Sequence, residues 1–418
     1  MTAACGIDFG TSNSAVALPS GEVLRIDRAA VEKRLFRSVL FFPEYSRETL
    51  AGASAIEEYL QRGEGRFIQS VKSWLPTASF TSTVIRGRAF KLEELVAMLL
   101  RAIRAGGEAA AKAPLDRVVL GRPARFGDDA ESDARAEGRL RTAAQLAGFT
   151  DIRFVIEPIA AALAYEARLS RDELVLVADF GAGTSDLTLM HLGPSRRARA
   201  DRRADIVASS GVAIGGDKFD AAIMKHKLLD RFGARSTYEV MGKRLPMPAH
   251  IMQRLLAWHE MSFIREQKTR ELIDRMLHAS DDVAAIEALQ DLVEENLGFR
   301  LYRAIEAAKI RLSENEATRI QFDEARVRLD EPLTRADFER LSAPLLESLD
   351  ACVAELMRST GVATRDLSAI FLTGGSSQIP AVKRLFTRRF GPDRLRSADA
   401  FTSVAEGLGR AATGAQFS

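Results

Sequence analysis

One short turn occurs twice in this chain, and it limits what the chain can fold into. "GIDFGTSNSAVAL" (6–18) and "VADFGAGTSDLTL" (177–189) each end an apolar run on an aspartate, pass through Phe-Gly and a small polar string, and return to an apolar run. Such a pattern reads as strand, glycine turn and returning strand. The two copies lie about 170 residues apart. Each opens a similar succession of strands, helices and α/β units, the pattern of a duplicated α/β fold with a cleft between lobes.

The spacing of apolar residues predicts the elements around these turns. "ACGIDFG", "SAVALP" and "EVLRID" read as strands of a first meander, and 91–112 as a helix. "DRVVLGRPARF" (116–126) reads as a buried strand ending at Gly121, followed by a helix near 128–147 and a strand "IRFVIEP" (152–158) ending at a proline. The Ala-rich stretch 159–169 predicts a closely packed helix bridging the halves. A second meander follows in "ELVLVADFG", "DLTLMHLG" and "ADIVASSG". A helical territory spans 217–315, interrupted near 233–248 by Gly and Pro. Strand, glycine turn and helix return at 366–390, and a short helix at 403–412.

Bulk properties exclude several classes. At 418 residues and 46% apolar content, the chain can build two or three domains with a sizeable core. Lys and Arg number 59 against 57 Asp and Glu, so no overall field attracts nucleic acid or an anionic membrane. Cys5 and Cys352 are too few for a disulfide framework, which fits a reducing, cytoplasmic setting. The N-terminus lacks the basic-then-apolar pattern of a signal peptide, and "LEELVAMLLRAIRAG" (92–106) is too short and too charged for a membrane span. The basic run "RRARADRR" (196–203) reads as an exposed hairpin tip without the aromatic flanks of a nucleic-acid platform. "HEMSF" (259–263) lacks the second histidine of a zinc helix, and Trp74 and Trp258 read as packing residues.

The turns themselves carry the chemistry. Successive N–H groups around Gly10 or around Gly181 and Gly183 form an anion-binding concavity. Asp8 and Asp179, beside them, suit Mg²⁺ held through water, because that ion dehydrates reluctantly. Two such turns facing each other would clasp one polyphosphate. Gly215-Gly216 in "VAIGGDKFD" opens a helix, a further phosphate position. Gly374-Gly375 in "FLTGGSSQIP" ends a buried strand, where a flat ring could lie across backbone.

With these four elements in order, the sequence resembles the ATPase domain of the heat-shock seventy (DnaK-type) chaperone family. "GIDFGTSNSAVAL" and "DFGAGTSDLTL" are similar to that family's two phosphate motifs, and "FLTGGSSQIPAVKRLF" to its adenosine motif. "GRPARF" and "FVIEPIAAALAYE" are similar to its connecting segments. The resemblance implies the duplicated actin-like, ribonuclease H-like ATPase fold, with two lobes around a nucleotide cleft. It implies lobe I over 1–173 with a small subdomain about 20–112, lobe II over 174–396 with a helical subdomain about 230–345, and a return to lobe I at 397–418.

The implied site follows residue by residue. Gly10, Thr11, Ser12, Asn13, Gly181, Gly183, Thr184, Gly215 and Gly216 would bind phosphate, and Asp8, Asp179 and Asp186 would hold Mg²⁺ through water. Lys72 would orient the γ-phosphate and the attacking water, with Glu157, Asp179 and Thr184 placing that water. Glu306, Lys309 and Ser313 would hold the adenosine together with Gly374, Gly375 and Ser376. Pro123 matches a proline linked to interdomain switching.

Several positions depart from the family. Ile310 replaces an arginine expected over adenine, and Gln378 another near the base. Glu131 stands where an arginine would follow Pro123, and Phe401 where an aspartate often precedes the last helix. The resemblance to short YegD-type members, in which the chain stops near the helix at 403–412, leads to the expectation of no linker and no substrate-binding domain. The expectation is therefore a monomeric, cytoplasmic, Mg-dependent ATPase that turns ATP into ADP slowly and drives lobe closure, with a protein client or partner. A nucleotide-sensing scaffold with little turnover, or a kinase or filament ATPase of the same fold, are the alternatives.

Overall fold

The computed structural model describes residues 3–127, 129–197, 199, 202–257, 266–397 and 402–412. Trp258, the "HEMSF" stretch and Phe401 lie outside the described residues, as do positions 198, 200 and 201 of the arginine run. The chain divides into two compact units: Met1–Gly215 with Ser348–Gln378 and Val382–Ser418, and Gly216–Glu347 with Ile379–Ala381.

The first unit holds two five-stranded sheets of one topology. In one, the order is Asp151–Ile156, Leu115–Arg122, Ala3–Phe9, Asn13–Ala17, Phe36–Arg37. In the other it is Leu395–Ser397, Ala369–Thr373, Glu173–Phe180, Ser185–Leu192, Ile206–Val212. In both, three parallel strands are followed by two antiparallel ones, so the duplication read from the turns extends to whole sheets.

The helix Glu157–Glu166 lies between the sheets. Ala160, Ala161 and Ala162 are wholly buried in a cluster with Val119 and Val155 of one sheet and Val175, Val177 and Met190 of the other. Alanine suits this place because backbones must approach closely and no rotamer freedom is lost. The helix Ser403–Ala411 packs on it and on the first hairpin. A larger core joins the first sheet to the helices Leu92–Ala111 and Ala130–Leu146. The latter starts where Asp129 accepts the Ser132 N–H at 2.8 Å, a side-chain N-cap.

Two local expectations are corrected, and a third is refined. "EVLRID" forms no ladder strand; its backbone meets the sheet at the Ala17–Val23 bridge and two hydrogen bonds, while Leu24 and Ile26 are buried in the core beside it. The strand expected over 152–158 ends at Ile156, and Glu157 and Pro158 already form the first helical turn, where proline's missing N–H costs nothing. The arginine run is exposed at Arg197, Arg199 and Arg203 but buried at Arg202. Arg202 is 1% exposed, paired with Glu166 at 2.8 Å and with Asp205 at 2.6 Å. Asp205 also takes Arg196 and Arg199, each at 2.8 Å. The run is therefore partly neutralised from within, which removes the premise of a basic patch.

The second unit is helical, with two hairpins. Gly216–Ile223, Ala249–Leu256, Gln267–Leu277, Val283–Glu294 and Gly298–Glu314 are α-helices. The interruption expected near 233–248 is a hairpin, Thr237–Val240 with Lys243–Pro246, and a longer one joins Ala317–Glu324 to Val327–Thr334.

Candidate functional site

The two repeated turns are the same object in register. Asp8 pairs with Ala15 and Phe9 with Ser14; Asp179 pairs with Asp186 and Phe180 with Ser185. Each hairpin thus closes over four residues, Gly10–Asn13 and Gly181–Thr184. Asn13 corresponds to Thr184, and Asp186 stands where the first copy has Ala15. The turns also approach each other: the Thr11 hydroxyl lies 4.0 Å from where a Cβ on Gly183 would stand.

Neighbouring segments fix both turns. Ser185 donates to the Ile214 carbonyl at 2.5 Å, which lays Gly215 against the second turn. A Cβ on Gly215 would stand 2.3 Å from the Ala182 oxygen, so only glycine fits there. Gly374, at φ +80°, abuts the Phe180 carbonyl in the same way. The 3₁₀ turn Gly375–Gln378, with Ser376 buried, thus begins beside the second hairpin. On the first hairpin, Ser38 bonds the Ser12 carbonyl at 3.0 Å and the Ser14 hydroxyl at 2.9 Å.

Four carboxylates and one ammonium meet at these turns. Lys72, on the 3₁₀ segment Val71–Trp74, donates to Glu157 at 2.6 Å, and both side chains are nearly buried. Arg139 holds that segment by its carbonyls, bonding Leu75 at 3.0 Å and Thr77 at 2.9 Å. Ser70, just before Lys72, is wholly buried in a left-handed conformation at φ +54°. Asp186 accepts from Thr184 at 2.8 Å and from the Ala124 N–H at 3.0 Å.

The electrostatics follow from burial. Loss of hydration and the charge of Glu157 push Asp8 up to about 7, with Lys72 opposing. Burial and Glu157 push Asp186 up to about 6. Asp179 is raised well above the usual carboxylate range by burial, then by Glu157, Asp8 and Asp186. Burial alone would lower Lys72, but the carboxylates of Glu157 and Asp8 outweigh it and its pKa is raised.

A model of the family described as "Hsp70 protein" matches residues 67–260 and 273–415, well over half of the chain. The chain belongs to the Hsp70 family. It is similar to the chaperone protein DnaK of Deinococcus proteolyticus, with 29% identity over 97% of this chain and 58% of that protein. It is similar to DnaK from two strains of Thermus thermophilus, at 27% identity over 97% of this chain and 60% of theirs. The chain therefore spans about 60% of the length of these relatives. Hsp70 proteins are chaperone-type ATPases of the actin-like fold, and the paired sheets of the first unit are the duplicated α/β core of that fold.

The donor set fits the Mg²⁺ that this family uses. Four acids against one buried ammonium leave excess negative charge, and raised pKa values are its mark; a divalent cation relieves it. Among the described residues, no group of three or more His, Cys, Asp or Glu side chains is placed to hold an ion directly.

The remaining expected residues fall elsewhere. Glu306, Lys309 and Ser313 share the helix Gly298–Glu314 of the second unit. Lys309 does not pair with Glu306; it donates to Asp220 at 2.8 Å and to the Gly216 carbonyl at 3.2 Å. Ile310, in place of the family arginine, is 59% exposed. Gln378 accepts from Lys383 at 2.8 Å. Glu131 pairs with Arg135 on the surface, whereas Arg122 bonds the Pro123 carbonyl at 3.2 Å and grips Asp133 with two bonds of 2.6 and 2.7 Å. Sequence reasoning missed Arg122, Arg139 and Ser38; the acidic helix just after "GRPARF" was the one available signal for Arg122.

No described helix is long and apolar enough to cross a membrane.

Proposed function

We propose that this Hsp70-family chain binds ATP at the two facing turns and hydrolyses it slowly to ADP and phosphate. The observation that supports this reading is the approach of Thr11 to Gly183 beside buried Lys72, Asp179 and Asp186 and half-buried Asp8 and Glu157. Backbone N–H groups of 10–13 and 181–184, with the Thr11, Ser12 and Thr184 hydroxyls, would hold phosphate oxygens. Asp8, Asp179 and Asp186 would hold Mg²⁺ through water, and it would neutralise phosphate charge. Glu157 and Asp179 accept hydrogen bonds from the attacking water and orient it. Lys72 stabilises charge on the transferred phosphoryl group. The water oxygen bonds to the γ-phosphorus, the bond to the β–γ bridging oxygen breaks, and ADP leaves; such transfer depends mainly on positioning and charge. Nucleotide drawn between the turns would bring the two hairpins together.

We place this activity in the cytoplasm, where Cys5 and Cys352 stay free thiols as found. The chaperone role of the DnaK relatives suggests a protein client or partner. Calorimetric titration with Mg-ATP tests the reading, and no heat at millimolar nucleotide rejects it. A second reading, nucleotide sensing with little turnover, draws support from the 2.6 Å Lys72–Glu157 pair, which engages two catalytic groups with each other. Single-turnover hydrolysis of bound ATP separates the two.

A further inference from the structure

We infer that Arg37 is an additional phosphate-contacting residue of this site, acting from the edge strand that frames the first turn. The inference rests on the nucleotide reading above and adds a residue that no motif in the sequence marks.

Three observations carry it. First, Phe36–Arg37 is a short edge strand paired antiparallel with Asn13 and Ser14, with Arg37 directly opposite Asn13. Second, the next residue fastens this strand to the turn: the Ser38 N–H bonds the Ser12 carbonyl at 3.0 Å, and the buried hydroxyls of Ser38 and Ser14 meet at 2.9 Å. The strand therefore cannot move independently of residues 12–14. Third, the Arg37 guanidinium already lies against the turn, donating from Nη1 to the Asn13 side-chain oxygen at 3.0 Å.

The charge balance of the site gives this cation a task. Asp8, Glu157, Asp179 and Asp186 face one buried ammonium, and Lys72 is engaged by Glu157 at 2.6 Å. A nucleoside triphosphate carries roughly four negative charges and one divalent cation returns two, so the loaded site needs a further cation. A guanidinium suits that role: its planar fork matches phosphate oxygens, and its bonds to an anion are roughly twice as strong as those to a neutral amide. Exchange of Asn13 for phosphate, or sharing between them, is therefore favourable. Because the first turn would hold phosphate, the contact responds to phosphate charge and leaves the nucleoside untouched.

The test is titration of the full chain, with Mg²⁺ present, by ATP, ADP and adenosine for the wild type, Arg37→Ala and Arg37→Lys. Arg37→Ala is expected to weaken ATP by about ten-fold or more, from loss of a charge-assisted bond. It should weaken ADP less and leave adenosine unchanged; Arg37→Lys should recover part of the ATP loss. A purely structural role would weaken all three ligands together, and that result overturns the inference. So does unchanged ATP binding in Arg37→Ala while the wild type binds. A wild type that binds no nucleotide overturns the function reading itself, a distinct outcome. Should Arg37→Ala fail to melt cooperatively, Arg37→Gln, which keeps a polar side chain and removes the charge, takes its place with the same expected order.

Discussion

Replacing Lys72 by Met keeps the side-chain stem and removes the one ammonium among four buried carboxylates. Its cost in the nucleotide-free protein is limited by proton uptake. Asp8 already sits near 7 with Lys72 in place, and Lys72 is what holds it down. Without it, the cluster protonates at higher pH, and each ten-fold gain in proton affinity corresponds to about 1.4 kcal/mol. A gain of roughly ten- to hundred-fold gives about 1.5–3 kcal/mol at pH 7.5, below the roughly 3–5 kcal/mol of a buried pair broken without relief. The expected fall in Tm is about 5 °C. At pH 5.5 the loss should shrink, because Asp8 is then largely protonated in both proteins. The sign is set by the acids alone over this range, since a raised Lys72 pKa keeps that group charged throughout. In turnover, loss of the phosphate-facing charge should lower kcat by about 10²–10³. Thermal melts at both pH values and single-turnover hydrolysis check this. A stability loss equal at pH 5.5 and 7.5, together with unchanged turnover, would refute the reasoning: the pair would then be structural and the cluster uncoupled.

Three further outcomes are expected. In the metal-free protein, Asp8 at about 7 and Asp186 at about 6 stand above the unfolded carboxylate value, so the folded state binds more protons and stability falls as pH rises from about 4 through 7. Melts in chelator should show this slope, and Asp8→Asn or millimolar Mg²⁺ should flatten it; a slope indifferent to both contradicts the cluster. Arg202→Leu leaves Glu166 buried without its cation, while Asp205 keeps Arg196 and Arg199, and should cost about 3–5 kcal/mol in denaturant unfolding, whereas a loss under about 1 kcal/mol would show that the network carries little. Gly215→Val drives a side chain into the Ala182 carbonyl and should cost about 1–3 kcal/mol while weakening ATP more than it weakens adenosine. Equal weakening of both ligands would mean that the second turn does not touch phosphate.

The sequence made the duplication legible because the turn residues are chemically forced: an aspartate ending a strand and a glycine where the chain reverses leave few alternatives. It misled on the pairing of the two copies. The shared letters Gly-Thr-Ser invite aligning Gly10–Asn13 with Gly183–Asp186, but hairpin register is set by ladder pairs, and these align Gly10–Asn13 with Gly181–Thr184. The second acid of the second turn, Asp186, therefore has no counterpart in the first, which is why one hand of the site is more acidic than the other. The burial of Arg202 within the arginine run escaped for a related reason. Composition registers charge but not the partner, and Glu166 lies 36 residues before Arg202 in the chain. Its Oε1 also accepts the Gly193 N–H, so the carboxylate closes the hairpin base and neutralises Arg202 together. Arg37 escaped for a third reason: a two-residue strand has no periodicity to detect, and only its pairing with Asn13 brings the guanidinium to the turn. Each of these cases turns on a contact made at long range. Local chemistry fixes where a turn must form, whereas the charge that the turn meets is decided by which distant strand or helix is folded against it.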